Sequence, residues 1–166
     1  LDQFEGPLTR YARRMLGDAE AACDVVQHAF LQLCDQQADQ FPARPKLWLF
    51  AVCRNRILDL WKKAERRRDA SNTDPEDIAD PRWDPASLAE NDDLALWLRE
   101  LVDQLPESQR EVLDLWCHGL GYREIATITD QSEVGVRVAA HRALKRLRAN
   151  PDVQSILADG EHSLVR

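Results

Sequence analysis

Lysine and arginine side chains are concentrated in two segments, and clusters of this kind neutralise phosphate groups. Residues 44–68 contain nine basic and two acidic residues, and residues 137–148 contain five basic residues and no acid. Residues 69–100, which lie between them, carry ten acidic and two basic side chains. A charge run is often only the solvated face of a helix. Two separate basic segments in helical surroundings nevertheless favour a polyanionic partner, and nucleic acid is the natural candidate.

The four cysteines indicate neither a disulfide framework nor a metal site. Cys23, Cys34, Cys53 and Cys117 are scattered without a CxxC pair, so we expect them to be reduced. Cys23 and Cys34 are eleven residues apart, about three helical turns, which predicts that both pack on one helix face as small hydrophobic residues. For all four cysteines we therefore expect packing in the core. The alternative is a zinc or redox site that uses Cys117, His118 and a distant cysteine, although metal ligands are usually more closely spaced.

Other classes of protein are disfavoured by composition and motif. We find no paired carboxylates, no nucleophile beside a base and no glycine-rich phosphate loop, so we expect neither enzymatic activity nor a cofactor. The chain has 166 residues, a net charge of −7 and 44% hydrophobic residues, which is typical of a soluble globular protein. Its uncharged stretches, among them residues 25–34 and 47–53, are well short of the ~20 residues of a membrane span. Without a secretory signal at the N-terminus, a cytoplasmic protein is expected.

Hydrophobic spacing predicts three helices in the first part of the chain. Gly17 is placed to end the first helix, Asp18 to cap the second, and Pro45 to stand in the first turn of a third helix that runs to about Arg68. On the second helix Asp24, Gln27, His28, Leu31 and Gln32 face outward. The predicted buried residues of the second helix are Ala22, Val25, Val26, Ala29, Phe30 and Leu33, and those of the third are Leu47, Phe50, Ala51, Ile57, Leu58 and Trp61. Trp61 could instead stack on a base.

A linker and a second helical domain are predicted to follow. Residues 69–84 have few apolar side chains and two prolines, which is typical of a flexible acidic linker between domains 1–68 and 85–166. Asp84-Pro85 resembles the start of a helix, and Leu105-Pro106 starts another with Val112, Leu113 and Trp116 inside and Gly119 at its end. No strand-like alternation occurs, so the predicted fold class is all-α, with two small helical domains.

Residues 122–148 have the spacing of a helix-turn-helix. Residues 122–128 form a short helix with Ile125, Ala126 and Ile128 inward, residues 129–131 turn, and Ser132 caps a final helix. The second helix of such a motif enters the major groove of DNA. Its buried stripe would be Val136, Ala140, Leu144 and Leu147, which leaves Glu133, Arg137, His141, Arg142 and Lys145 exposed. Arg137 and Arg142 could contact bases or phosphates, or only solvate the helix; His141 could contact DNA or simply stand at the surface.

Three motifs in register resemble the extracytoplasmic-function (ECF) sigma factors of bacterial RNA polymerase. The segment from Leu105-Pro106 through Gly121-Tyr122-Arg123-Glu124-Ile125-Ala126 to Arg142-Ala143-Leu144 is similar to the family's −35 binding domain, region 4. Asp24-Val25-Val26-Gln27 resembles its polymerase-binding helix, and Trp48-Leu49-Phe50 with Arg54-Asn55 resembles its −10 helix, both in region 2. The resemblance covers nearly the whole chain and implies promoter-specific transcription initiation.

The resemblance also implies roles for individual residues. Asp24, Gln27 and Leu31 would dock on the clamp helices of the polymerase largest subunit, and region 4 would contact the flap of the second-largest subunit. Further partners implied are promoter DNA and an anti-sigma factor. The −10 strand would be bound by the loop 40–46 and by Arg54, Asn55, Lys62, Lys63, Arg66, Arg67 and Arg68. Asn55 has both a donor and an acceptor for a flipped base, although it could also bond locally on its helix. The −35 element would be bound by Arg123, Ser132, Arg137, His141, Arg142 and Lys145.

The chain departs from the family pattern at two places. His28 replaces the acidic residue that usually follows the glutamine, and the final helix has Gly135 and Val138-Ala139 where polar side chains are usual. Fewer polar side chains would then face the groove, so we expect apolar contacts with thymine methyl groups to contribute. The same departures motivate a second hypothesis, a sigma-like decoy that binds an anti-sigma factor and not promoters.

Overall fold

Helices account for all the regular secondary structure in the described part of the chain. The structure is a computed structural model that describes residues 2–37, 40–71, 97 and 100–155. The chain divides into two units, Leu1–Ala89 and Glu90–Arg166. The all-α prediction with two helical domains is confirmed. The first unit contains α1 (Asp2–Leu16), α2 (Ala19–Cys34) and α3 (Pro45–Ser71), and the second contains α4 (Glu107–Cys117), α5 (Tyr122–Thr129) and α6 (Glu133–Arg148).

The boundary between α1 and α2 follows from two adjacent residues. Gly17 has φ 69°, a conformation that glycine adopts without a steric penalty, and its N–H donates to the Arg13 carbonyl at 2.8 Å. The Asp18 carboxylate then accepts hydrogen bonds from the N–H groups of Glu20 at 2.8 Å and Ala21 at 3.2 Å. Both predictions are confirmed, as is the start of α3 at Pro45.

The core of the first unit is built where the three helices pack on one another. Tyr11 of α1 and Phe50 of α3 are buried, and their ring centroids are 5.4 Å apart in an edge-on arrangement that aromatic pairs favour. The α2 residues that were predicted to face inward are buried, apart from the half-buried Phe30. On α3, Phe50 and Ile57 are fully buried, whereas Leu47, Ala51, Leu58 and Trp61 are half-buried at the edge.

The prediction that the cysteines pack in the core is wrong for three of the four. Cys23, Cys34 and Cys117 are exposed, and Cys53 is buried. Cys23 and Cys34 do lie on one side of α2, but the buried side is centred near Ala22 and Ala29, about a third of a turn away. Burial of the Cys53 thiol raises its pKa from an ordinary value of 9.0 to about 12, because the thiolate would be desolvated.

The core of the second unit has two parts. Leu105, Leu113 and Ala143 are buried together, with Val102, Leu144 and Leu147 packed against them. Within the helix-turn-helix, Ile125 and Val136 are fully buried, and Ala126, Ile128 and Ala140 nearly so, as predicted.

The prediction for Trp116 is wrong. Its side chain is 43% exposed, and Leu115 is fully buried in its place. Trp116 follows the buried Val112 by four residues, so it lies only about 40° from it around the helix but one turn closer to the C-terminal end of α4, where its side chain is less covered.

The structure describes the predicted linker and the helix predicted after it only in part. Helix α3 continues through Ser71, so residues 69–71 are helical, and the rest of the predicted linker, residues 72–84, lies outside the described residues. The helix predicted to start at Asp84-Pro85 also lies mostly outside them, although residues 97 and 100–103 are helical. Among the residues that the structure describes, no helix is both long enough and apolar enough to span a bilayer.

Candidate nucleic-acid interface

The turn between α5 and α6 sets the geometry of the helix-turn-helix. Asp130 ends α5 in the left-handed region, with φ 55°, and the N–H of Gln131 donates to the Ala126 carbonyl at 3.1 Å. Ser132 then caps α6, since its hydroxyl oxygen accepts from the Gly135 N–H at 3.0 Å. These contacts fix where α6 begins, and therefore which of its side chains face solvent.

The side of α6 opposite its buried face begins with two valines. Val136, Ala140 and Ala143 are buried, and with 100° per residue the opposite stripe consists of Val134, Val138, His141, Arg142 and Lys145. Val134 is 70% exposed and Val138 is 41% exposed. The other members of the stripe are exposed as well. The N-terminal half of the stripe is thus apolar, and the C-terminal half is polar and cationic.

Arg137 lies on the flank of α6 and not on this stripe. Its guanidinium donates to the Glu133 carboxylate from Nη2 at 2.8 Å and from Nε at 3.3 Å, and it stands 5.2 Å from the centroid of the Tyr122 ring. The side chains of Arg137 and Glu133 are 60% and 42% exposed, so the pair orients the arginine toward α5 without adding much stability.

The atypical Gly135 has a local structural reason. A Cβ added at this position would stand 3.1 Å from the Ser132 hydroxyl oxygen, which is tighter than nine in ten Cβ contacts in proteins and would push the hydroxyl away by a few tenths of an ångström. The hydroxyl is held there by its hydrogen bond to the Gly135 N–H. Glycine therefore leaves room for the N-cap, at a cost of about 1 kcal/mol in helix propensity relative to alanine.

The predicted −10 residues of α3 divide between one outward stripe and its flanks. Asn55, Lys62 and Arg66 follow one another at seven- and four-residue steps, are all exposed, and point away from the buried Cys53 and Ile57. Arg66 also donates from Nε to the Lys62 carbonyl at 3.1 Å. On the flanks, Arg54 is half-buried, and Lys63 and Arg67 are exposed. The side chain of Arg68 lies outside the described residues.

The predicted polymerase-binding residues are also brought together. Asp24, Gln27 and Leu31 are exposed on the side of α2 opposite its buried face. Leu31 is 58% exposed, so its apolar side chain is accessible to a partner. A groove of about 550 Å³ lies beside them between α1 and α2, and its lining includes Glu5, Thr9, Cys23, Gln27, Phe30 and Cys34.

Comparison with known proteins assigns the chain that carries these surfaces to a family. Residues 1–67 match sigma-70 region 2, and residues 95–147 match sigma-70 region 4. The ECF RNA polymerase sigma factor SigL of Mycobacterium tuberculosis is 32% identical over 155 residues, which cover 89% of this chain and 84% of SigL. The chain belongs to the ECF sigma factors. ShbA of Streptomyces griseus, another ECF RNA polymerase sigma factor, is 30% identical over 174 residues, 82% of this chain and 91% of ShbA.

A solved structure supports the same fold for this sigma factor. The sigma factor RpoE from Bartonella quintana, crystallised in complex with the anti-sigma factor NepR, matches with a TM-score of 0.70 and 24% sequence identity, over 94% of each chain. The structure shows the shared fold, and the two family models with the relatives of 30% and 32% identity confirm the family resemblance.

Several features of this sigma factor were not found from its sequence. Phe41, in the loop before α3, is 49% exposed, and Val134 on α6 is 70% exposed, more than Leu31, Trp116 or Val138. The pairing of Arg137 with Glu133 was detectable, because Glu and Arg four residues apart are neighbours on a helix. The contact of Arg137 with Tyr122 depends on how α5 and α6 cross and left no signal in the spacing.

Proposed function

We propose that this ECF sigma factor binds core RNA polymerase and directs it to promoters whose −10 element it reads with α3 and whose −35 element it reads with α6. The observation that carries the proposal is that a sigma-family chain presents an exposed basic stripe on α3 and a solvent-facing second helix in its helix-turn-helix. In this role the protein acts in the cytoplasm as a specificity factor, without catalysis, metal or cofactor.

On the first unit, we assign base recognition and strand binding to different residues. The Asn55 amide supplies a donor and an acceptor, which the Watson–Crick edge of a flipped base requires. Lys62 and Arg66 continue the same stripe and neutralise the phosphates of the strand that Asn55 reads. Arg54, Lys63 and Arg67 widen the basic surface on both sides.

On α2, we assign polymerase binding to the stripe that contains the exposed leucine. Leu31 supplies the apolar contact, and Asp24 and Gln27 supply polar groups around it, an arrangement suited to the clamp helices of the largest subunit. His28 is half-buried beside them and carries no carboxylate. The second unit would contact the flap of the second-largest subunit.

The test is promoter-dependent RNA synthesis with purified core polymerase and genomic promoter fragments. Asp24→Ala and Gln27→Ala should weaken core binding, measured by competition with the labelled wild type. Gln32→Ala changes a residue that is exposed on the same helix but outside the stripe, and should leave core binding unchanged. Failure of the wild-type protein to support promoter-dependent synthesis contradicts the proposal.

A decoy that binds only an anti-sigma factor is the second candidate. The observation that favours it is the exposed apolar pair Val134 and Val138, which offers a protein partner more than it offers phosphates. We propose that the sigma factor also binds an anti-sigma factor, as RpoE does in its complex with NepR. The test is to measure both interactions. The protein is a decoy if it forms the anti-sigma complex but, together with core polymerase, does not bind promoter DNA at any salt concentration.

A further inference from the structure

Two valines occupy the part of α6 that approaches base edges in a helix-turn-helix. In such motifs the N-terminal residues of the second helix contact the bases in the major groove. Val134 and Val138 are four residues apart, so they are neighbours on the helix surface, and they are 70% and 41% exposed. Their methyl groups form the outermost surface of the first two turns of α6.

The polar groups in the same two turns are engaged within the protein. The Ser132 oxygen caps the Gly135 N–H, and the Glu133 carboxylate is paired with Arg137. Gly135 and Ala139 have no polar side-chain atom. Direct readout by this part of the helix therefore depends on apolar contact.

The surroundings of the valine pair are suited to DNA. Arg142, Lys145, Arg146 and Arg148 follow on α6, exposed on its surface, and Arg123 is exposed on α5. This charge is complementary to a polyphosphate backbone, whereas an apolar protein partner would have to bury it. In the major groove, the thymine 5-methyl is the apolar group that distinguishes one base from the others.

We propose that Val134 and Val138 determine −35 specificity by packing against thymine 5-methyl groups in the major groove. Arg137, turned toward Tyr122 on the flank, then contacts a phosphate, because the first helix of the motif crosses the backbone. This inference rests on the proposed function, since it requires that α6 binds a −35 duplex.

The test removes single methyl groups from DNA. Holoenzyme assembled from the full chain and core polymerase is bound to a promoter obtained by selection, in which each −35 thymine is replaced in turn by deoxyuridine. Loss of a methyl that packs on a valine should weaken binding about fourfold, the effect of one buried methyl group. Val134→Ala or Val138→Ala should remove the sensitivity at one position and keep it at the other. The valines are exposed, so both variants should unfold at the wild-type temperature.

Matched controls separate this effect from general weakening. Val153→Ala truncates a half-buried valine outside the helix-turn-helix and should leave the deoxyuridine effect intact. Replacing a cytosine beside a contacted thymine with 5-methylcytosine tests whether an added methyl group also changes the binding affinity. The inference is overturned if specific duplex binding does not change with deoxyuridine. It is also overturned if deoxyuridine weakens binding equally in the wild type and in both valine variants. Either result leaves the proposed function standing. Absence of promoter binding by wild-type holoenzyme overturns both.

Discussion

Helices α3 and α6 expose surfaces of different chemistry. The outward stripe of α3 is formed by Asn55, Lys62 and Arg66, with Asp59 beside them, and all four are exposed and polar or charged. The outward stripe of α6 starts with two exposed valines and becomes polar and cationic only in its second half. Both helices are basic overall, so their net charge does not reveal the difference.

The difference matches the two states of DNA that the proposed function assigns to the helices. An unpaired base presents a Watson–Crick edge, which is recognised by a side chain with a donor and an acceptor. A duplex hides that edge and presents methyl groups and groove-facing polar atoms. A polar stripe thus suits a melted strand, and a valine pair with flanking cations suits a double helix.

The largest expected effect is at Asn55. Asn55→Ala should reduce formation of open complexes about ten- to hundredfold, because a bidentate contact to one base contributes roughly 1–3 kcal/mol of discrimination. Reactivity of unpaired thymines to permanganate measures this effect. Affinity for core polymerase serves as the control and should be unchanged. Loss of core binding as severe as that of Asp24→Ala would show that α2 and α3 do not divide their roles.

The buried side of α3 contains an ionisable thiol, so its contribution to the free energy of unfolding depends on pH, whereas the buried stripe of α6 has no ionisable side chain. The unfolded thiol of Cys53 ionises near pH 9, whereas the folded one has a pKa of about 12, so the unfolded state binds fewer protons between these values. Stability contributed by the neutral thiol is present below pH 9 and should fall by about 1.4 kcal/mol for each pH unit above it. Chemical denaturation of the first unit at pH 8 and 10, with Cys53→Ala as reference, measures the effect. An equal pH slope for both proteins would contradict it.

Arg137 distinguishes phosphate contact from base contact on α6. Arg137→Ala should weaken binding to all −35 sequences alike and lower the salt slope by about 0.9, equivalent to about eightfold between 1 M and 0.1 M salt. Titration of holoenzyme on −35 variants over a range of salt provides the measurement. Glu133→Gln keeps the length of the side chain and removes its charge, and should strengthen binding. If Arg137→Ala changed the preferred sequence, the arginine would be a base-reading residue.

The smallest expected effect concerns the start of α6 compared with the start of α2. Ser132→Ala and Asp18→Ala each remove an N-cap and should cost about 1 kcal/mol of unfolding free energy in their own units. Gly135→Ala should stabilise the protein more when Ser132 is also alanine, because the 3.1 Å approach to the hydroxyl is then absent. A double-mutant cycle by denaturant unfolding measures this coupling. Additive free energies would show that the cap does not restrict residue 135.

Local chemistry allowed much of the fold to be predicted from the sequence. The caps at Asp18 and Ser132 and the helix-ending Gly17 depend on residue type and near neighbours, and all three were predicted correctly. The error at Trp116 came from treating a large apolar side chain on the buried side of α4 as core, although at the C-terminal end of that helix it is 43% exposed.

The candidate surfaces could be predicted only in part. Spacing placed Asp24, Gln27 and Leu31 outward, and the structure has them exposed on one stripe. Of the exposed pair on α6, the sequence predicts that Val138 faces the groove, and it gives no such prediction for Val134. The contact between Arg137 and Tyr122 depends on how α5 and α6 cross, and no local pattern specifies that crossing.

The exposed thiols on α2 can be alkylated, and the rate of alkylation reports whether a partner covers them. Cys23 and Cys34 line the same groove as Gln27, one at each end of a three-turn stretch of helix. A subunit that covers Gln27 would slow alkylation of both, whereas a partner seated on the second unit would slow alkylation of Cys117 instead. Cys53 stays silent in either case, because it is buried and protonated. The rates at which three native side chains react would therefore map where a partner sits, without a single engineered label.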